Sequence, residues 1–138
     1  MDDVIRVNGY LVPRRLLYTK TDEWVEIRGE IAVVGITDYA QKQLRDIVGV
    51  ELPEPGYKAK KGEAIASIES VKTVADVYAP LTGTIVEVNE RLYEEPELIN
   101  KDPYGDGWIA KIKYEYREEV ESLLKPEDYA KKIEKEAH

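Results

Sequence analysis

Lys72 stands in a polar turn between two stretches of strand-forming residues. The turn has the sequence Glu69-Ser70-Val71-Lys72-Thr73-Val74. Such a turn would project the lysine away from a rigid body, and a lysine amine can form a stable amide when an activating enzyme supplies the acyl group. The arrangement therefore suggests covalent attachment of a prosthetic arm. By spacing alone, an ordinary solvated lysine is the commoner explanation of the same pattern.

The composition of the 138-residue chain argues against catalysis by the protein's own side chains. It contains no cysteine, and its only histidine is the last residue, His138, which we interpret as part of a tail. A stand-alone enzyme would therefore depend on carboxylate, tyrosine or lysine chemistry. We predict neither catalytic residues nor a metal site, and any redox chemistry would have to come from an attached cofactor.

Charge and hydropathy argue against two classes of partner. The net charge of −8 disfavours nucleic acid, because phosphates would be repelled. No apolar run approaches the roughly 20 residues that span a bilayer. The acidic start, Met1-Asp2-Asp3, lacks the basic and apolar regions of a signal peptide. We expect a cytoplasmic protein that does not bind membranes.

Short runs rich in Val, Ile and Tyr, separated by turns that contain Gly or Pro, predict a mainly β fold between residues 24 and 110. Their spacing of roughly ten residues is typical of a flattened β-barrel or a sandwich of hairpins. We predict a single domain, 1–138, with a β core at about 18–114 and C-terminal helices at about 115–136. The helices are predicted from apolar residues at helical spacing, namely Val120, Leu123, Leu124, Tyr129, Ala130 and Ile133.

Two local elements are predicted in the first half of the chain. Residues 26–27 and 31–34 form the arms of a hairpin that turns at Gly29, since glycine tolerates the backbone conformation of a tight turn. Thr37 is expected to cap a short helix that continues to Arg45.

Further along, alternation of apolar residues predicts strands and core residues. Val48, Val50 and Leu52 alternate with Gly49 and Glu51, a pattern that indicates a half-buried strand. The two tryptophans of the chain, at positions 24 and 108, are interpreted as core residues.

The turn around Lys72 resembles the lipoylation motif of the glycine cleavage H-protein family, in which an acidic residue, a small residue, a valine and the acceptor lysine follow in order. Biotin carriers typically place methionines beside their lysine, and lipoyl domains of 2-oxo acid dehydrogenases usually have Asp-Lys-Ala. Val71 and Thr73 flank the lysine here. The resemblance extends over about 10–129. Further matching segments, in the family's order, are 18–25, 35–41, 50–53, 79–83, 87–89, 98–100 and 107–108.

This resemblance implies a lipoyl group on Lys72, within an attachment motif that also includes Glu69, Ser70, Val71 and Thr73. It implies a barrel-sandwich hybrid fold, like that of lipoyl domains, with peripheral helices. The protein would be a non-catalytic carrier of the aminomethyl group of glycine, from glycine decarboxylase (P protein) to aminomethyltransferase (T protein), with reoxidation by dihydrolipoyl dehydrogenase (L protein). A lipoate ligase or lipoyl transferase would load the arm. Such brief contacts suit a monomer.

The resemblance also implies a cleft in which the loaded arm docks. The residues that match the family's docking positions are Thr21, Glu23 and Asp76. A carboxylate in such a cleft could pair with the ammonium of an aminomethyl group more strongly than in open solvent. A solvated loop carboxylate is an equally good explanation for Glu23 and Asp76.

Three positions depart from the family pattern. Many relatives have histidine where Asp22 and Tyr39 stand, and Gly49 occupies a place that often holds an aromatic residue. These departures leave the attachment motif intact. Two alternatives stay open: an H-like lipoyl carrier of another pathway, such as lipoyl relay or sulfur oxidation, and an unmodified adaptor whose Lys72 stays free.

Overall fold

The computed structural model describes residues 3–136, so the tail assignment of His138 lies outside the described residues. The strands are β1 (Val4–Val7), β2 (Tyr10–Pro13), β3 (Leu17–Tyr18), β4 (Glu23–Arg28), β5 (Ile31–Ile36), β6 (Ile47–Glu51), β7 (Lys58–Ala59), β8 (Ala64–Ser70), β9 (Val74–Tyr78), β10 (Gly83–Val88) and β11 (Ala110–Tyr114). The helices are α1 (Asp38–Leu44), α2 (Leu98–Lys101), α3 (Arg117–Glu121) and α4 (Pro126–Glu136), with a 3-10 turn at Glu90–Tyr93. Between residues 3 and 136, none of the helices is long and apolar enough to cross a membrane.

The strands form three antiparallel sheets. The largest has the order β3-β4-β5-β11-β10-β7, a three-stranded sheet has the order β6-β8-β9, and β1 pairs with β2. This architecture confirms the prediction of a mainly β fold. The three-stranded sheet positions the candidate site, because the turn between β8 and β9 carries Lys72.

The predicted hairpin and helix of the first half are both present. β4 and β5 pair around Gly29, whose φ is +61°. The hydroxyl of Thr37 accepts a hydrogen bond from the backbone N–H of Ala40 at 3.2 Å, which caps α1 as expected. The helix ends at Leu44, one residue before the predicted end at Arg45.

The two tryptophans have different environments. Trp24 is 1% exposed, and its Nε1 donates a hydrogen bond to the carbonyl of Pro103 at 2.8 Å. Trp108 is only half-buried, and the ammonium of Lys111 lies 4.9 Å from its ring centroid. The prediction of a core tryptophan is therefore confirmed for Trp24 and confirmed only in part for Trp108, which packs against the same core cluster from its edge.

The predicted burial of β6 is wrong at its first alternating position. Val50 and Leu52 are half-buried as expected, but Val48 is 53% exposed. The register between β6 and β8 shifts between Ile47 and Gly49, which indicates a β-bulge. Because a bulge reverses the inward and outward alternation, Ile47 is buried and Val48 faces solvent.

The strands before Tyr18 were not predicted. β1 and β2 pair around Asn8-Gly9, and both turn residues have positive φ, at 50° and 84°. This conformation is the one that two-residue hairpin turns favour, so the Asn-Gly pair is a sequence signal that was missed. The hairpin packs against α4, and Val12 shares a core cluster with residues of that helix.

The predicted apolar stripe is helical at Val120 in α3 and along α4, but the prediction is wrong for Leu123 and Leu124. These two residues lie between the helices, and the backbone of Leu124 pairs with that of Tyr18. Tyr129, Ala130 and Ile133 of α4 are buried. The ring of Tyr129 stacks on that of Tyr18, with centroids 4.6 Å apart. α4 therefore packs against β3, the edge strand of the large sheet.

Candidate functional site: a lysine turn and a nearby acidic cleft

The turn that carries Lys72 is held by one serine. The backbone N–H of Ser70 donates to the carbonyl of Thr73 at 2.8 Å, and the Ser70 hydroxyl donates to the same carbonyl at 3.3 Å. The serine Oγ in turn accepts the backbone N–H groups of Lys72 and Thr73, each at 3.1 Å. Ser70 is buried, whereas Lys72 is exposed. The geometry fixes the backbone of the lysine and leaves its side chain to solvent.

A second set of contacts ties the turn to the neighbouring strand. The backbone N–H of Val71 donates to the carbonyl of Asp46 at 3.0 Å, and Ser70 pairs with Ile47 of β6. Val71 itself is 64% exposed. The lysine therefore projects from a sheet of three strands, not from an isolated two-stranded hairpin, and this makes its backbone a defined starting point for an arm.

Glu69 lies across a glycine of β6. It pairs directly with Gly49, and a Cβ built on that glycine would lie 3.2 Å from the Glu69 Oε1 atom. The absence of a side chain at position 49 thus lets the glutamate side chain rest over the adjacent strand. Glu69 remains exposed, three residues before the lysine.

Glu23 is a buried carboxylate, not a solvated loop residue. It is 1% exposed at the start of β4, and its Oε1 accepts the hydroxyls of Thr19 and Thr21. Its Oε2 accepts the backbone N–H of Tyr78 at 3.1 Å. Burial raises the pKa of Glu23 above its ordinary value, and the hydrogen bonds oppose that shift. Both of its oxygens therefore have a donor.

The residues predicted for the docking cleft line two cavities that share Thr21. A cavity of about 180 Å³ between α1 and β9 is lined by Thr21, Asp22, Tyr39 and Asp76, among others. A larger groove of about 560 Å³ is lined by Thr21 and Glu23 together with residues at the end of β9. Thr21 thus forms a hydrogen bond with Glu23, and it lines the smaller cavity together with Asp76. Glu23 and Asp76 line different cavities.

A buried polar network lies behind the smaller cavity. Tyr129 donates its hydroxyl proton to Asp22 Oδ1 at 2.9 Å, and its oxygen is 2.7 Å from the hydroxyl of Thr37. Lys132 of α4 also contacts Asp22 Oδ1, at 3.4 Å. Asp22 has a positive φ of 71°, and burial raises its pKa. The contribution of Tyr129 and Lys132 was not predicted, since they lie more than 100 residues from Asp22 and no local pattern marks them.

Comparison with known proteins gives a family match that covers most of the chain. The model of the family described as glycine cleavage H-protein matches residues 16–136. A probable glycine cleavage system H protein of Aeropyrum pernix is 60% identical over 126 residues, which are 91% of this chain and 88% of the relative. The glycine cleavage system H protein of Thermotoga maritima is 61% identical over 112 residues, or 81% and 90% of the two chains.

A solved structure agrees with the sequence matches. The crystal structure of a glycine cleavage system H protein from Mycobacterium marinum superposes with a TM-score of 0.82 at 38% sequence identity. The match covers 88% of this chain and 98% of that one. The fold and the sequence thus match proteins that carry the same family name.

Proposed function

The chain belongs to the glycine cleavage H-protein family, and from this premise we propose that it carries a lipoyl group in amide linkage to Lys72. The observation that carries the proposal is the exposed lysine on a turn whose backbone is fixed by Ser70. An attachment site needs an accessible amine and a defined starting point for the arm. This turn supplies both.

Each residue of the attachment motif has a role that its environment supports. Ser70 holds the turn, and Val71 and Thr73 are exposed on either side of the lysine, where a loading enzyme must contact them. Glu69 is exposed on the strand that leads to the turn, and we assign it to recognition by the lipoate ligase or lipoyl transferase. When attached, the lipoyl group would supply a dithiolane, whose reducible disulfide could receive an aminomethyl group.

We assign the docking of an aminomethyl ammonium to the cleft that Thr21 and Asp76 line. Asp76 offers a carboxylate there. The hydroxyl of Thr21 donates its hydrogen bond to Glu23, so the threonine oxygen can accept a hydrogen bond from an ammonium. Glu23 therefore acts as a positioning residue for Thr21, and Asp76 as the partner of opposite charge.

The partners follow from this role. We propose that the protein is a non-catalytic, cytoplasmic and monomeric carrier that visits the P, T and L proteins in turn and carries the aminomethyl group from the P to the T protein. Carriers that serve several enzymes benefit from weak and brief contacts. The negative net charge of −8 favours partners with basic surfaces around their active sites.

A glycine exchange assay tests the proposed pathway. Protein loaded with lipoate would be mixed with purified P protein, glycine and labelled carbon dioxide, and we expect label to enter glycine. Loaded protein that supports no exchange would assign the chain to a different lipoyl pathway. The Lys72→Arg variant is the control, because it keeps the positive charge but cannot form the same amide.

A further inference from the structure

Val48 is turned to solvent by the β-bulge between Ile47 and Gly49. It is 53% exposed, although its position in the alternating pattern predicts burial. β6 is the edge strand of its sheet, and a bulge at an edge protects it from pairing with other chains. That protection does not require an apolar residue at the bulge, because a lysine or a polar residue would serve equally well. The bulge therefore accounts for the exposure of position 48 but not for the valine that occupies it.

Two other valines next to the lysine are also exposed. Val71 and Val74 are 64% and 62% exposed, one on each side of Lys72. The hydrogen bond from Val71 N–H to the carbonyl of Asp46 brings the lysine turn beside the start of β6, two residues before Val48. We call three exposed residues the valine surface: Val71 in the lysine turn, Val74 at the start of β9, and Val48 on β6, the strand to which the turn is hydrogen-bonded.

Charged residues border the valine surface, and one of them, Glu69 of β8, lies between β6 and β9 and pairs with both Gly49 and Val74. Asp46, Glu69 and Asp76 are exposed on the same three strands or their ends, and Arg45 adds one opposing positive charge. The complementary partner is a protein with an apolar contact area and basic residues at its margin. Any enzyme whose active site reaches the Lys72 amine must cover Val71 and Val74. Val48 would extend this contact area onto β6.

We propose that the valine surface, extended by Val48, is the docking surface for the enzyme that acylates Lys72. This inference rests on the proposed function. In the reaction that this enzyme catalyses with ATP, the Lys72 amine attacks the lipoyl carbonyl of an acyl adenylate. The amide bond forms, AMP leaves with the electron pair of the broken bond, and the amine loses a proton. Val48 contributes binding of the protein substrate and takes no part in that step.

A competition experiment separates docking from chemistry. Lys72→Arg keeps the valine surface but cannot be loaded, so it should inhibit lipoate ligase acting on the wild-type protein with ATP and lipoate. The double variant with Val48→Ser should inhibit about fivefold more weakly, the loss expected when one partly buried valine is removed from a contact. Val86→Ser in the Lys72→Arg background is the matched control. Val86 is also exposed at a bulge, in β10, which belongs to the large sheet and not to the sheet that carries the lysine turn.

The outcomes distinguish this inference from the proposed function. Equal inhibition constants for the Val48 and Val86 variants, or no inhibition by Lys72→Arg, would overturn the proposal of a docking surface. If the wild-type protein were still loaded at Lys72, the proposed carrier function would stand. Failure of the wild-type protein to be loaded would overturn both. Circular dichroism of each variant verifies that the fold is retained.

Discussion

The turn around Lys72 and the junction around Asp22 and Tyr129 are both polar, but they are built in opposite ways. The turn is exposed and is held mainly by hydrogen bonds within four residues, from Ser70 to Thr73, with one further bond from Val71 N–H to the carbonyl of Asp46. The junction is largely buried and joins side chains that are 107 residues apart. The difference indicates that the site of modification depends on local backbone geometry, whereas the cleft wall depends on the whole fold.

This contrast separates variants that affect stability from variants that affect loading. Changes at the junction should unfold the protein without altering the attachment site in molecules that stay folded. Changes at the turn should impair attachment at little cost in the free energy of unfolding. The following variants test this separation.

Tyr129→Ala should have the largest effect on stability. It removes a buried ring that stacks on Tyr18 and a hydroxyl that bonds Asp22. We expect the free energy of unfolding to fall by about 4 kcal/mol. Denaturant titration measures the change, and Tyr116→Ala, at a tyrosine that is 49% exposed, is the control. A loss of the same size in the control would show that burial at the junction is not the cause.

Tyr129→Phe isolates the hydroxyl from the ring. The phenylalanine keeps the stacking with Tyr18 but leaves Asp22 and Thr37 without one buried partner. We expect a loss of about 1–3 kcal/mol in the free energy of unfolding. The rate of lipoate loading by a ligase, measured well below the unfolding transition, should equal that of the wild type. A slower rate would mean that the turn and the junction are coupled.

Ser70→Ala should impair loading of the lysine while changing stability little, the reverse of the effect expected for Tyr129→Phe. It removes the oxygen that accepts the N–H groups of Lys72 and Thr73. Because the turn is exposed, those donors can bond to water, and the stability loss should stay near 1 kcal/mol. Loading of the lysine should slow several-fold, since its backbone is no longer fixed. Ser67→Ala, on the same strand, is the matched control, and equal loading rates for the two variants would contradict this role.

The smallest effect is expected in the pH dependence of stability. Burial raises the folded-state pKa of Glu23 above its ordinary value of 4.5. As the pH rises, the Glu23 carboxyl therefore loses its proton at a lower pH in the unfolded chain than in the folded one. Its contribution to stability is present below pH 4.5 and is lost as the pH rises through the folded-state pKa. Glu23→Gln removes this titration and can donate to Thr19 and Thr21 while accepting from Tyr78.

Unfolding of Glu23→Gln, measured between about pH 4 and pH 7, should therefore show a smaller fall in stability than the wild type shows. Asp22 remains in both proteins, and its raised pKa contributes in the same direction. Parallel stability curves for the two proteins would mean that Glu23 has an ordinary pKa in the folded state.

The sequence was sufficient where the deciding interactions are local. The hairpin around Gly29, the Thr37 cap and the strands that flank Lys72 depend on residues a few positions apart, and the structure confirms them. Resemblance to a family supplied the lysine's candidate role, which spacing alone did not favour.

Prediction failed where long-range register or packing decides. The exposure of Val48 follows from a bulge that appears only when β6 pairs with β8. The environment of Asp22 depends on α4, which packs back on the β3–β4 turn from the far end of the chain. Trp108 lies at the edge of the core and precedes β11, which begins only at Ala110. No local pattern marks these outcomes.

Mass spectrometry of the protein after incubation with lipoate, ATP and lipoate ligase tests the central claim most directly. We predict the mass of one lipoyl amide, which peptide fragmentation locates on Lys72, and no added mass in Lys72→Arg. Two results would contradict the assignment of Lys72 as the carrier residue. One is a chain that stays unmodified although the same ligase loads a known substrate protein, and the other is a lipoyl amide on another lysine.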